Sequence, residues 1–106
     1  MTNERPLAAK LDPDVADSVP WSEDLTPYDE EHLVTYLRLL DAESEGADWC
    51  EVARIVLHRD PADEFERTRR CWETHLARAR WMTTQGYRRL LEQAAEEGRP
   101  LGANLH

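Results

Sequence analysis

The chain has 106 residues, which is the size of one domain. Asp and Glu number 22 against 13 Lys and Arg, so the formal net charge is −9. This balance repels phosphate groups and argues against a protein that binds nucleic acid through a general positive potential. The acids are concentrated in residues 1–66, which hold 18 acidic and 5 basic side chains, whereas residues 67–106 hold 4 acidic and 8 basic ones.

The chain shows no feature of export or membrane insertion. No apolar run reaches the length of a membrane span, and the N-terminus lacks the apolar stretch of a secretory signal. We therefore expect a soluble cytoplasmic protein with no membrane partner. In that reducing compartment the two cysteines, Cys50 and Cys71, are expected to be free thiols.

Residues 1–25 are predicted to form a mostly irregular arm, because three prolines and scattered acids interrupt any periodic pattern. Asp12 followed by Pro13 can start one helical turn that runs to Ala16, since Asp favours the N-cap and Pro the first helical position. Trp21 is the largest apolar side chain of the arm. If it is buried, it ties the arm to the core.

The first predicted helix begins at Thr26 and ends near Ser44. Thr26, Pro27 and Asp29 form a capping pattern with a proline at the first position, and Gly46 supplies a left-handed residue after the end. The helical spacing of apolar residues predicts a buried stripe. Its members are Leu33, Tyr36, Leu37 and Leu40, with Val34 and Leu39 beside it.

Three further helices are predicted. The second opens at Asp48 and ends around His58, and the third opens at Asp60 and runs to about Thr84. A break or kink at Gly86 precedes a short fourth helix, Tyr87 to Glu97. The buried side chains of the second and third helices are predicted to include Trp49, Val52, Ala53, Val56, Phe65, Trp72, Leu76 and Ala79.

This pattern predicts an all-α fold, a helix-turn-helix variant with three main helices plus a short C-terminal helix. The arm occupies residues 1–25, the helix-turn-helix-like domain residues 26–97, and a flexible tail residues 98–106. The short second helix would brace the long third one, as in DNA-binding domains of this class.

Arginines are clustered on the third helix and admit two interpretations. In the first, Arg67, Arg69, Arg70 and Arg78 contact phosphates and base edges of DNA. In the second, they form a solvated face that pairs with the acids of the first half or contacts a protein. The net charge of −9 favours the second interpretation and makes DNA binding the less expected outcome.

Trp81 lies opposite the main apolar stripe of the third helix and is either covered by another segment or exposed as an interface anchor.

Cys71 and His75 lie one helical turn apart, a spacing that can bind a metal ion, and Cys50 or His58 would be the third ligand. Burial of Cys and His between helices is commoner, so we expect no metal and no cofactor. No nucleophile, base or phosphate loop has a recognisable spacing, and we expect no enzyme activity.

Three sequence blocks resemble a proteobacterial family related to the DNA-binding domain of the secretion-system regulator RovC. They are LTPYDEEHLVTYLRLLDAESEGADW, EVARIVLH and HLARARWMTTQGYRRLL, and the resemblance covers about residues 12–93. It implies a helix-turn-helix variant used in two ways. Some members are fused to further domains and activate transcription on DNA, whereas single-domain members are antiactivators that bind a LuxR-type quorum-sensing regulator or a fused activator of the same family.

The net charge and the single domain fit the antiactivator branch, which keeps conjugative transfer genes of an integrative and conjugative element off. The hypothesis is therefore a monomer that binds a transcriptional activator protein. The alternatives are a DNA-binding helix-turn-helix regulator and a structural subunit of a larger complex. The proposed partner-binding residues are Arg70, Arg78, Trp81, Tyr87 and Arg88, with a second acidic surface at Asp29, Glu30 and Glu31.

Overall fold

A computed structural model describes residues 9–96 of the chain. Every regular element within this range is helical. There are five α-helices and two π-helical turns. The α-helices are α1 (Pro27–Glu31), α2 (Leu33–Ser44), α3 (Trp49–Val52), α4 (Phe65–Trp81) and α5 (Tyr87–Glu96), and the π-helical turns are Ala53–Leu57 and Met82–Gly86. This confirms the all-α prediction.

The first predicted helix is present but divided at His32. Thr26 and Asp29 form the capping box that the sequence predicts, with each side chain bonded to the other's backbone N–H. His32 leaves helical geometry (φ −104°, ψ 22°), although its carbonyl still accepts from the Tyr36 N–H at 2.9 Å. The helix ends at Ser44 as predicted, and Gly46 adopts the expected positive φ of 73°.

The second helix begins at Asp48, whose side chain accepts from the Cys50 N–H. It continues from α3 into the first π-helical turn and stops because His58 takes a left-handed conformation, φ 59° and ψ 39°. The predicted start of the third helix at Asp60 is wrong. Asp60 caps only a short turn, bonding to the Ala62 N–H, and α4 begins at Phe65.

The third and fourth predicted helices form one nearly continuous rod from Phe65 to Glu96. The prediction of a break or kink at Gly86 corresponds to the second π-helical turn, which inserts a wider turn without ending the helix. Gly86 is buried there, and a Cβ atom at this position would lie 2.4 Å from the Met82 sulfur and 2.7 Å from the Trp81 ring. The close approach of these side chains explains the glycine.

The core lies where α2, α3 and α4 meet. Leu39, Val52, Leu57, Cys71 and Leu76 form one buried cluster, and Tyr36, Ala79 and Met82 form a second. Most predicted core positions are confirmed at least in part. Two are wrong, because Leu37 is 65% exposed and Phe65 is 57% exposed.

The arm has no regular secondary structure over its described part, so the predicted helical turn at Asp12–Ala16 is wrong. It lies across the helices instead and is held by bonds to several of them. Trp21 is 58% exposed, although its ring packs edge-on against Trp81 with 6.0 Å between centroids. Residues 1–8 and the predicted tail, residues 98–106, lie outside the described residues.

The bonds that hold the arm involve both its backbone and its side chains. Arg59 donates to the carbonyl of Val15 and to Asp17, each at 2.7 Å. The Val19 N–H donates to the Thr74 hydroxyl at 3.2 Å. Because these partners lie in the connection before α4 and on α4 itself, the arm covers one side of the long helix.

Candidate functional site

Arg78 and Asp29 form a buried ion pair between α4 and α1. The guanidinium donates to both carboxylate oxygens, at 3.0 Å from Nε and 2.7 Å from a terminal nitrogen, and both side chains are almost completely buried. Two further N–H groups of the guanidinium donate to the carbonyl oxygens of Ser22 and Asp24 in the arm. The pair therefore joins α1, α4 and the arm.

Every nitrogen of the Arg78 guanidinium donates a hydrogen bond, and both oxygens of the Asp29 carboxylate accept them. Asp29 also accepts from the Tyr36 hydroxyl at 2.8 Å and from the Thr26 N–H at 3.0 Å. Burial by itself raises the pKa of Asp29, but the hydrogen bonds from Arg78, Thr26 and Tyr36 outweigh it and hold that pKa below its ordinary value. The guanidinium also stacks on Trp81, 3.7 Å from the ring centroid.

This placement changes the interpretation of two predicted partner contacts. Asp29 and Arg78 are not on the surface, so neither can meet a partner or DNA without opening the domain. Trp81 is only partly exposed and lies against Arg78 and Trp21. These three residues hold the arm on the domain.

Cys71 and His75 are buried, as the commoner interpretation of their spacing predicts. His75 donates from Nδ1 to the Cys71 carbonyl at 2.7 Å and accepts at Nε2 from the Tyr28 hydroxyl at 2.5 Å. Burial lowers the pKa of His75 to about 4, so the ring is neutral at pH 7. Within residues 9–96, no three His, Cys, Asp or Glu side chains are grouped to hold a metal ion.

The exposed arginines of α4 are mostly neutralised by carboxylates. Arg67 bonds to Asp17 at 3.0 Å and Glu64 at 2.7 Å, and Arg69 bonds to Glu73 at 2.9 Å. Of the four residues predicted for DNA contact, only Arg70 is exposed and without an ion-pair partner in the described part of the chain. Pairing of this kind reduces the charge available to phosphates, although each surface pair is weak, about 0–1 kcal/mol.

The start of α4 and the start of α3 together carry a group of aromatic side chains around an arginine. We call this group the Arg69 cluster, and it consists of Trp49, Phe65, Arg69 and Trp72. The guanidinium carbon of Arg69 lies 4.8 Å from the ring centroid of Trp49 and 5.0 Å from that of Trp72. Phe65 and Trp72 pack against Trp49 with centroid distances of 5.5 and 5.6 Å.

The other predicted partner contacts lie apart from this cluster. Tyr87 is 57% exposed and borders an apolar groove between α2 and the α5 end of the long rod. Arg88 is exposed beside it. Glu30 and Glu31 are half-buried, and Glu31 pairs with Lys10 at 3.1 Å. The groove is lined by Leu33, Leu37, Leu40, Met82, Tyr87 and Leu90.

The Arg69 cluster was missed because the helical pattern assigns Phe65, Trp49 and Trp72 to the core. A signal was present in the sequence. Arg69 lies four residues after Phe65 and three before Trp72, which places all three on one side of the helix. A charged residue inside an aromatic stripe indicates that the stripe reaches the surface.

Comparison with known proteins gives one family. The family model described as "T6SS, Transcription factor, DNA binding domain" (RovC_DNA-bd) matches residues 4–92 of the chain, which include every helix except the end of α5. A search of the curated proteins found no match. The description favours the DNA-binding alternative of the sequence analysis over the antiactivator hypothesis. Within the described residues, none of the helices is both long and apolar enough to cross a membrane.

Proposed function

Since the chain belongs to the RovC DNA-binding domain family, we propose that it regulates transcription, and that it does so as an antiactivator. In this function the domain binds a transcriptional activator protein and acts by that contact, without catalysis and without a cofactor. The contact lies on the exposed surface of α3 and α4. One domain of this kind would occupy the activator and reduce transcription from its promoters.

The observation that supports protein binding is the chemistry of the surface at the start of α4. In a helix-turn-helix motif, the N-terminal part of the recognition helix contacts base edges. The long helix α4 has that place in this chain, and its N-terminal part carries the exposed ring of Phe65. Arg69, one turn later, is already paired to Glu73. Trp, Phe and Arg are enriched in protein interfaces, whereas a net charge of −9 opposes approach to DNA.

The resemblance to the conjugative-element antiactivator QseM makes the proposal more specific. It suggests a LuxR-type quorum-sensing regulator, or a fused activator of the same family, as the partner. Conjugative transfer of an integrative element would then be the process that is repressed. A monomeric chain in the cytoplasm is the form that we propose for this role.

The test is an affinity capture from source-cell extract at physiological salt, with and without nuclease. We expect a transcriptional activator to remain bound after nuclease treatment, and the purified activator to bind the purified chain directly. Proteins that are lost on nuclease treatment, together with enriched DNA fragments, would contradict the proposal.

The second candidate is a DNA-binding transcriptional regulator, and the family match favours it. Arg67, Arg69 and Arg70 would contact the duplex, with phosphates replacing the carboxylates of the weak surface pairs. Binding would then weaken steeply with added salt. Replacing Arg70 with Ala would reduce the slope of log affinity against log salt by about 1 if it contacts one phosphate.

A further inference from the structure

We infer that His32 is a pH-sensitive latch, whose ring holds the N-terminal arm on α1 only while both of its nitrogens carry a proton. His32 lies where the first predicted helix divides into α1 and α2, and the arm crosses its buried ring. The latch acts on the arm and not on a partner, so it goes beyond the proposed function.

Both ring nitrogens of His32 face oxygen atoms that can only accept hydrogen bonds. Nδ1 lies 2.8 Å from the carbonyl oxygen of Tyr28 in α1, and Nε2 lies 2.6 Å from the carbonyl oxygen of Asp14 in the arm. A neutral imidazole has a single N–H, whereas the imidazolium form has two. Only the imidazolium form can therefore donate both hydrogen bonds, and the two distances are those of bonds from a charged donor.

Water cannot replace the second proton, because His32 is only 2% exposed. An unprotonated nitrogen would face a carbonyl oxygen with no donor between them, which is unfavourable for two buried acceptors. Tyr28 lies four residues earlier in the same helical segment, whereas the arm has no regular secondary structure. Loss of one proton is therefore expected to break the hydrogen bond to the arm.

His75 gives the contrast, because it is also buried beneath the arm. Its Nδ1 donates to the Cys71 carbonyl, but its Nε2 faces the Tyr28 hydroxyl, which can donate. The neutral ring satisfies both contacts, and burial lowers the pKa of His75 to about 4. Two histidine rings whose centroids lie 6.5 Å apart therefore have different numbers of protons when the arm is in place.

The groups in contact with the His32 ring are compatible with a cation. The ring stacks on Tyr28 with 3.8 Å between centroids, and an aromatic face attracts a positive charge. His75 approaches from α4 in its neutral form, and the side chain of Asp14 is exposed to solvent. The arm thus contributes its carbonyl oxygen to this contact, and not a carboxylate.

The charged groups on the surrounding elements are already paired. Those that act on Tyr28 or His75, together with the buried carboxylate of α1, form three ion pairs: Glu31 with Lys10, Arg59 with Asp17, and Asp29 with Arg78. In the described part of the chain, no carboxylate pairs with His32. The second proton of its ring therefore depends on the Asp14 carbonyl, and hence on the arm being in place.

Raising the pH is expected to release this contact. Histidine changes its charge between about pH 5 and 8, so the arm is held through Asp14 at the lower end of this range and loses that bond at the upper end. The effect is local, because Arg59 still holds the carbonyl of Val15 and the carboxylate of Asp17. Its direction is opposite to that of His75, whose neutral ring is lost at low pH.

Nitrogen NMR of the histidine rings in the full chain tests the protonation directly. At about pH 5.5 we expect two protonated ring nitrogens on His32, and one protonated and one unprotonated nitrogen on His75. The two rings are matched in burial, so each is the control for the other. An unprotonated nitrogen on His32 at this pH would overturn the latch.

Amide hydrogen exchange tests whether the arm responds. The Ala16 N–H lies two residues after Asp14 and donates to the Tyr28 hydroxyl, and the Val52 N–H in α3 is the reference. Between about pH 5.5 and 8, the protection of Ala16 relative to Val52 is expected to fall about tenfold in the wild type. In His32→Gln, whose amide does not titrate, this ratio is expected to stay within about twofold.

An unchanged ratio in the wild type, or an equal fall in His32→Gln, would show that His32 does not control the arm. If His32→Gln fails to fold, the ring nitrogens and the exchange of the wild type still decide, because both are measured on the unaltered chain.

Discussion

Two arginines of α4 stand in similar chemical surroundings and differ mainly in burial. Arg78 stacks on Trp21 and Trp81 and pairs with Asp29, whereas Arg69 stacks on Trp49 and Trp72 and pairs with Glu73. The Arg78 pair is almost fully buried, while the side chains of the Arg69 pair are 41% and 55% exposed. An arginine, a carboxylate and two tryptophans therefore hold the fold together at the buried site, whereas the same four kinds of group remain available to a partner at the exposed site.

The difference follows from what covers each arginine. The arm crosses α4 at Arg78 and accepts two of its hydrogen bonds through the carbonyls of Ser22 and Asp24. A charge that is removed from water needs hydrogen bonds of this number and geometry to offset its desolvation. Arg69 has one carboxylate partner and two aromatic faces. These contacts are enough for an arginine at the surface, because solvent can accept hydrogen bonds from the other N–H groups of its guanidinium.

Arg78→Met should have the largest effect on stability. It leaves the Asp29 carboxylate buried without its cation, so we expect the free energy of unfolding to fall by about 3–5 kcal/mol. Urea denaturation followed by circular dichroism measures the change. The double variant Arg78→Met, Asp29→Asn removes both charges and should recover part of the loss. Equal destabilisation in the two would contradict the role given to the ion pair.

His75 should make the stability depend on pH. Its folded pKa is about 4 and its ordinary value is 6.5, so the unfolded chain binds a proton more readily. The stability that comes from the neutral ring is complete above about pH 6.5 and is lost as the pH falls towards 4, by roughly 3 kcal/mol in total. Unfolding free energies at a series of pH values measure this slope.

The control for this pH dependence is His75→Gln, which removes the titrating group. The variant should be less stable at pH 7 and should show a shallower slope between pH 6.5 and 4. Asp29 adds its own loss of stability mainly below pH 4, because its hydrogen bonds hold its folded pKa below the ordinary value of 3.8. An unchanged slope in the variant would mean that another group causes the pH dependence.

These two sites also show which features of the structure can be predicted from the sequence and which cannot. Capping patterns predicted the start of the first two helices, because these caps join residues only two or three positions apart. The Arg78–Asp29 pair joins residues 49 positions apart. No local pattern distinguishes Arg78 from Arg70 or Arg80, and its burial depends on where the arm crosses. The exposure of Phe65 likewise depends on α4 starting four residues later than the predicted first position, Pro61.

Tyr28→Phe tests the smaller network around His75. The hydroxyl donates to His75 and accepts from the Ala16 N–H at 3.0 Å, so it links α1, α4 and the arm. Removing it should lower the free energy of unfolding by about 1–2 kcal/mol, since two polar groups lose their partner. Thermal and urea unfolding measure the loss. A stability equal to that of the wild type would show that water replaces the hydroxyl.

Arg69→Met should have the smallest effect on stability and completes the comparison with Arg78→Met. The exposed pair with Glu73 contributes about 0.3–0.5 kcal/mol and the stacking about 0.5–1 kcal/mol, and methionine keeps part of the packing. We therefore expect a loss of about 1 kcal/mol or less by urea denaturation, several times smaller than for Arg78→Met. A loss as large as that of Arg78→Met would mean that the Arg69 cluster is part of the structural core, which would leave it unable to serve as a free binding surface.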